Sequence, residues 1–261
     1  MIDTISKVVW GPGTLVFLMG TGLYLMIRLR FLPIRNLWFA LKQVFSKQSM
    51  AGGNGKGDIS SFESLMTSLA ATIGTGNIVG VATAMAVGGP GALVWMLISA
   101  IRPKFLGMAL AVCFSLFAIL STLGMGNLTQ ANSLSGGLYA GFGIPAWVSG
   151  LLLACCTAAI ILGGIKTIGA AAGKIVPFMA ILYTAGAIAV IVVCRQNLVP
   201  GVVAMFANAF ALRPMAGAIR FGVSRGVFSN EAGLGSAGIA AAAAKTDHPC
   251  RQGYIIMTAN F

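Results

Sequence analysis

Charged residues are scarce in this chain. Of its 261 residues, 8% are Asp, Glu, Lys or Arg, and only five are acidic. So thin a charged surface excludes an ordinary water-soluble domain, and so few carboxylates leave little for paired-acid catalysis. Histidine is rarer still, since His248 stands alone with no ligand partner near it. The five cysteines (Cys113, Cys155, Cys156, Cys194, Cys250) lack metal-ligand spacing and read as small, buried apolar side chains. No Ser/His/Asp set, metal cluster or pair of intramembrane acids can be assembled, so the chain is expected to be neither an enzyme nor a cofactor binder. Strand alternation is missing, which disfavours a barrel, and no filter-type repeat marks a passive channel. A cleavable leader is missing too: the first apolar run is about as long as a true span and lacks a basic leader and a small-residue cleavage site.

What is present is apolar. Hydrophobic residues make up 57% of the chain and the mean hydropathy is +0.91, the composition of an integral membrane protein. Several stretches approach the roughly 20 residues that cross a bilayer as a helix, so the fold class is all-α, a polytopic transmembrane helical bundle. The formal net charge of +12 does not indicate nucleic acid, because the basic residues lie between apolar segments without interleaved aromatics. They read as a topology signal.

In chain order, Val8 to Ile27 is the first expected span, with Trp10 and Tyr24 as interfacial anchors. Six basic residues follow without an acid (Arg28, Arg30, Arg35, Lys42, Lys47, Lys56), which makes this loop cytoplasmic and the N-terminus external. Within it, Leu37 to Phe45 has helical apolar spacing and is expected to lie along the membrane surface, ahead of a flexible turn at Ala51 to Gly57. The second span, Phe62 to Val87, runs to a tight turn at Gly88 to Ala92. The third, from Leu93, is cut short at Ile101 by Arg102, Pro103 and Lys104. Phe105 to Leu123 is long enough to cross, and Gly124, Asn127 and Gln130 continue it as a small, polar stripe. Gly136 to Pro145 reads as an outer loop, Trp147 to Leu162 as a span, and the stretch holding Lys166 and Lys174 as a linker. Ile175 to Cys194 is the next span, and Arg195 to Arg213 is an outer connection holding the short apolar stretch Val202 to Leu212. A last complete span starts near Met215 and runs through the alanines at 240 to 244, and Gln252 to Phe261 opens another segment.

Two of these spans are interrupted, near residues 74–77 (Gly74, Thr75, Gly76, Asn77) and 227–235. In hydrocarbon an unpaired backbone amide or carbonyl costs several kcal/mol, so such breaks persist where they line a cavity or receive a ligand. Helix N-terminal amides attract a carboxylate and C-terminal carbonyls attract a cation. Thr75, Asn77, Ser229, Asn230 and Glu231 supply oxygens suited to Na⁺ or a small zwitterion. Close packing is the competing reading, since Gly76 to Gly80 also fits the GxxxG pattern. Gln130 reads equally as an interhelical hydrogen bond or a ligand contact. Glu63 and Asp58 need no more than solvated or capping roles. No strand precedes Gly74, which excludes a dinucleotide loop.

Three stretches carry a resemblance. ATIGTGNIVGVATAMAVGGPGALVWM (Ala71 to Met96), GMGNLTQANS (Gly124 to Ser133) and GVFSNEAGLGSAGIAAAAAKTDHPCRQG (Gly226 to Gly253) closely resemble the alanine or glycine:cation symporters, also called sodium:alanine symporters. The resemblance implies secondary symport of alanine or glycine with Na⁺ or H⁺ in the cell membrane, on the five-plus-five inverted-repeat scaffold of sodium-coupled amino acid transporters. It implies no cofactor beyond the coupling ion, and no metal beyond the transported cation. Carried over by position, Gly74, Thr75 and Gly76 would hold the substrate carboxylate, and Gln130, Phe228, Ser229 and Asn230 would complete the pocket. Thr72, Asn77 and Ser229 would take the cation. The organisation implied is one membrane domain: an extra span at 8–27, a basic cytoplasmic linker at 28–58, a first repeat at 59–194 with a shortened third span, and the start of a second at 195–261. Measured against the family pattern, the chain jumps from Ile101 to Arg102 as if several tens of residues were deleted, and it stops at Phe261 early in the second repeat. The alternative implied is a non-transporting membrane fragment or interaction protein of the same lineage.

Overall fold

A computed structural model describes residues 11–53, 55–74, 76–100, 127–210, 215–230 and 236–260. Helix α1, Pro12–Arg28, takes Pro12 at its first turn, where the missing N–H costs nothing. The chain then reverses through Arg30 and Phe31, both left-handed at φ 52° and 55°. Two short helices follow, α2 (Leu32–Arg35) and α3 (Leu37–Val44), and then α4 (Lys47–Ala51), whose first turn is capped by Ser46 Oγ accepting from Ser49 N at 3.2 Å. The range of α3 agrees with the helix expected at Leu37 to Phe45.

The first interrupted span begins as α5, Ser61–Thr72. Its start is a capping box: Glu63 N donates to Ser60 Oγ at 3.1 Å and Ser60 N donates back to Glu63 Oε2 at 2.8 Å. Capping thus accounts for Glu63. Replacing Ser60 by Ala should lower stability by about 1 kcal/mol, read from thermal unfolding in detergent. After a π-helical turn at Gly76–Gly80 comes α6, Val81–Gly88, and then α7, Ala92–Ala100. The reversal between them needs glycine: Gly89 has φ 77°, and a Cβ on Gly91 would run into the backbone of Ala209.

Helix α8 is Leu128–Phe142, α9 is Ala146–Ile161 and α10 is Gly164–Val193. Two expectations are corrected here. The stretch from Gly136 is not a loop but the second half of α8, which ends only at the left-handed Gly143, φ 68°. Each helical glycine costs up to about 1 kcal/mol relative to alanine, less than an unpaired backbone group away from water. The expected linker around Lys166 and Lys174 is also helical. Gly169, Ala172, Gly173 and Val176 let α10 lie close on α5, and a Cβ on Gly169 would come within 2.9 Å of Ile59 Cγ2.

Helix α11, Leu198–Phe210, precedes α12, Met215–Asn230, and α13, Ser236–Ala242. Of the interruption expected at Val227 to Gly235, Val227 to Asn230 are instead helical, and residues 231–235 lie outside the described residues. The all-α expectation needs one amendment. Ile59–Ser60 (β1) pairs in parallel with Ala244–Lys245 (β2), just before helix α14, Pro249–Met257. Gly55 and Gly57 make this possible, since a Cβ on either would collide with the backbone of Thr246 or Ala244.

Apolar side chains gather in three clusters among the described residues, one of them around Ala84, Ala92 and Met96. Val44, Leu65, Met66, Ala172, Val176 and Ile255 join α3, α5, α10 and α14. Val223 and Val227 of α12 pack with Trp95 of α7, whose indole N–H donates to Ala209 O at 3.1 Å. Among the described residues one helix, α10, is by itself long and apolar enough to cross a membrane; α9 is apolar but shorter. Cys155, Cys156, Cys194 and Cys250 are exposed, a correction to their expected burial. On α10, Ile181, Leu182 and Val193 are exposed as well. The segments Phe105 to Leu123 and the junction of Ile101 with Arg102 lie outside the described residues.

Candidate functional site

The π-helical turn after α5 and the last turn of α12 meet at one residue, Asn77. Helix α5 stops because Ile73 leaves helical geometry, φ −85° and ψ 96°, while its N–H still reaches Leu69 O at 2.7 Å. Three residues later the chain resumes as the π-helical turn Gly76–Gly80, a form that recurs at functional sites. Asn77 N donates to Gly74 O at 3.0 Å, closing the bend.

The Asn77 side chain then spans the interruption. Its Nδ2 donates to Thr72 O at 2.9 Å, engaging a carbonyl at the C-terminal end of α5. Its Oδ1 accepts the hydroxyl of Ser229, which is 4% exposed on the last turn of α12. Thr72 Oγ1 donates to Ser68 O at 2.9 Å, and Thr72 meets Asn77 through its carbonyl. Thr72 O, Asn77 Oδ1 and Ser229 Oγ are thus three neutral oxygens about one amide. Neutral oxygens at a helix C-terminus suit a hard monovalent cation. With all three turned toward an ion, the Asn77 amide would rotate and release its N–H from Thr72.

Gly74 is the second point of convergence. A Cβ there would collide with the amide of Gln130, which α8 carries across the break. Glycine at 74 lets that side chain approach, and a Cβ there would move the Gln130 amide aside. Gly76 opens the π-helical turn, and Phe228 and Asn230 lie on the last turn of α12. Thr75 and Glu231 lie outside the described residues.

Sequence reasoning missed what lies below the break. Ser61, Ser64 and Ser68 are all buried along one face of α5. Ser64 Oγ donates to Ala240 O of α13 at 2.8 Å and accepts from Gln252 Nε2 of α14 at 2.9 Å. The hydroxyl of Ser68 and Oε1 of Gln252 are buried without a hydrogen-bond partner among the described residues. Serines at three- and four-residue spacing in an apolar helix were the signal. Ser64→Ala should destabilise the chain by roughly 1–3 kcal/mol, because it leaves the buried Gln252 Nε2 unpaired, while Ala240 O keeps its bond from Ala243 N; chemical denaturation in detergent would measure it.

Comparison with known proteins agrees in order along the chain. A family model described as the sodium:alanine symporter family matches residues 1–110 and 102–261, two pieces that meet at 102–110. The sodium/alanine symporter AgcS of Methanococcus maripaludis is 43% identical over 303 aligned positions, covering 100% of this chain and 66% of that protein. The probable sodium/glutamine symporter GlnT of Bacillus subtilis is 36% identical, covering 98% and 60%. A putative sodium/proton-dependent alanine carrier of the same organism, YrbD, is 35% identical, covering 97% and 59%. This chain therefore spans somewhat less than two thirds of the length of these relatives, and aligning its 261 residues over 303 positions leaves gaps within it.

Proposed function

Because the chain belongs to the sodium:alanine symporter family, and so to a family of membrane transport proteins, we propose that it carries a small neutral amino acid, alanine or glycine, together with Na⁺ or H⁺. Glutamine is a third candidate substrate, since a relative is named for it. The observation that carries the reading is the Asn77 side chain, hydrogen-bonded to Thr72 O on one interrupted span and to Ser229 Oγ on the other. A cation taking those oxygens would pull on both spans at once, which is what coupling requires.

In this reading the substrate carboxylate sits against the amides at Gly74, Thr75 and Gly76, where the helix resumes and its dipole favours negative charge. Gln130, reaching over Gly74, and the chain at Phe228, Ser229 and Asn230 close the pocket. The cation occupies Thr72 O, Asn77 Oδ1 and Ser229 Oγ beside the carboxylate. The scaffold is a polytopic bundle in the cell membrane, with residues 8–27 as an extra span and 28–58 cytoplasmic. Residues 59–194 form a first inverted repeat and 195–261 the start of a second. Alternating access follows from one bundle rocking about the junction at Asn77.

The test is uptake by reconstituted protein: alanine, glycine and glutamine are supplied singly under a Na⁺ gradient, a proton gradient or neither. Accumulation that requires a gradient supports symport and identifies both solutes. A second reading, a family member that binds without transporting, is favoured by the match in two pieces meeting at 102–110. It predicts flat uptake with Na⁺-dependent substrate binding retained. Absence of binding as well would sink both.

A further inference from the structure

A topology signal needs only charge, yet the segment between α1 and α5 carries more. We propose that the outer face of α3, with the reversal at Arg30 and Phe31, is a docking surface for the headgroups of anionic phospholipids. This rests on the membrane placement given above.

Helix α3 is apolar on two opposite sides. Ala40 and Val44 face inward at 0% and 4% exposure, and Val44 packs with Leu65 and Ile255. Facing outward are Trp38 and Phe45, 70% and 68% exposed. Lys42 lies on the same side, four residues after Trp38 and three before Phe45, and its Nζ is 5.5 Å from the Trp38 ring centroid. A face turned to water would be polar there. A face with an aromatic at each end and a snorkelling lysine between them is what a helix lying in the headgroup layer presents.

Charge gives the sign of the partner. Arg28, Arg30, Arg35, Lys42 and Lys47 are all exposed, and the ion pairs among the described residues, Lys166 with Asp58 and Arg251 with Asp247, involve none of them. The left-handed pair Arg30 and Phe31 bends the chain so that three arginines surround one turn, with Phe31 and Ile34 beside them half exposed. Anionic charge with an apolar border is the complement of this surface, and a lipid supplies both where a free phosphate supplies only the first.

The test reconstitutes the full chain in phosphatidylcholine vesicles containing brominated phosphatidylglycerol or, at equal mole fraction, brominated phosphatidylcholine. Quenching due to Trp38 is taken as the difference from Trp38→Phe. The phosphatidylglycerol should quench at least about fivefold more effectively, a preference that falls in high salt and disappears when the five basic residues are replaced by Gln. Should that variant fail to fold, Lys42→Gln with Lys47→Gln should at least halve the preference. Equal quenching by both lipids overturns the anionic preference. Quenching of Trp147 on α9 but not of Trp38 overturns the surface while leaving the membrane placement intact; quenching of neither overturns both.

Discussion

Asn77→Ala is expected to weaken the response to Na⁺ by 10- to 100-fold, the largest single effect at the junction. The variant removes Oδ1, one of the three oxygens that would take the ion, next to Thr72 O and Ser229 Oγ. A polar contact to a charged group is worth roughly 1.5–3 kcal/mol, and about 1.4 kcal/mol is a factor of ten. The measurement is the Na⁺ concentration giving half-maximal alanine binding or uptake, and Na⁺-induced stabilisation gives the same quantity without transport. Asn77→Asp provides the contrast. A carboxylate in place of the amide cannot donate to Thr72 O but adds a negative charge beside the three oxygens, so Na⁺ affinity should recover relative to Asn77→Ala. Unchanged Na⁺ dependence in Asn77→Ala would remove Asn77 from the cation site and leave it a structural clasp.

Gly74→Ala is expected to reduce alanine binding by tenfold or more at little cost in stability, because the added methyl meets the flexible end of Gln130, whose amide swings away from the break. If that displacement is the cause, Gly74→Ala should lose little further binding once Gln130→Ala is present. A double-mutant cycle measures this coupling. Additive losses in the cycle would mean that Gly74 is needed for its backbone freedom and not for its nearness to Gln130.

Some of this was legible in the residues themselves. Apolar runs, the basic segment from Arg28 to Lys56 and the Gly-rich interruption at Gly74 to Asn77 are local features, and local chemistry is what a sequence states directly. The helix at Leu37–Val44 was legible for that reason. The stretch from Gly136 to Phe142 misled because glycine propensity was weighed as if the chain were in water, whereas backbone pairing decides the matter where water is excluded. The segment around Lys166 misled in the same way: its small residues loosen no linker but let α10 approach α5 closely. The serines of α5 were passed over because a single hydroxyl in a helix carries no signal until its partners, Ala240 and Gln252, are known to be adjacent.

Composition and motif order alone determined that the chain is an apolar, helical membrane protein, and to which family its motifs point. Those properties are sums over residues or patterns along the chain. Tertiary structure decided what the interruptions do to each other. Asn77 and Ser229 stand far apart in the chain, and only the packing of α12 against the π-helical turn makes them one junction. Likewise the pairing of Ile59–Ser60 with Ala244–Lys245 joins the start of one interrupted span to the end of the other. Such contacts depend on which faces the helices bury against each other, which no single segment specifies.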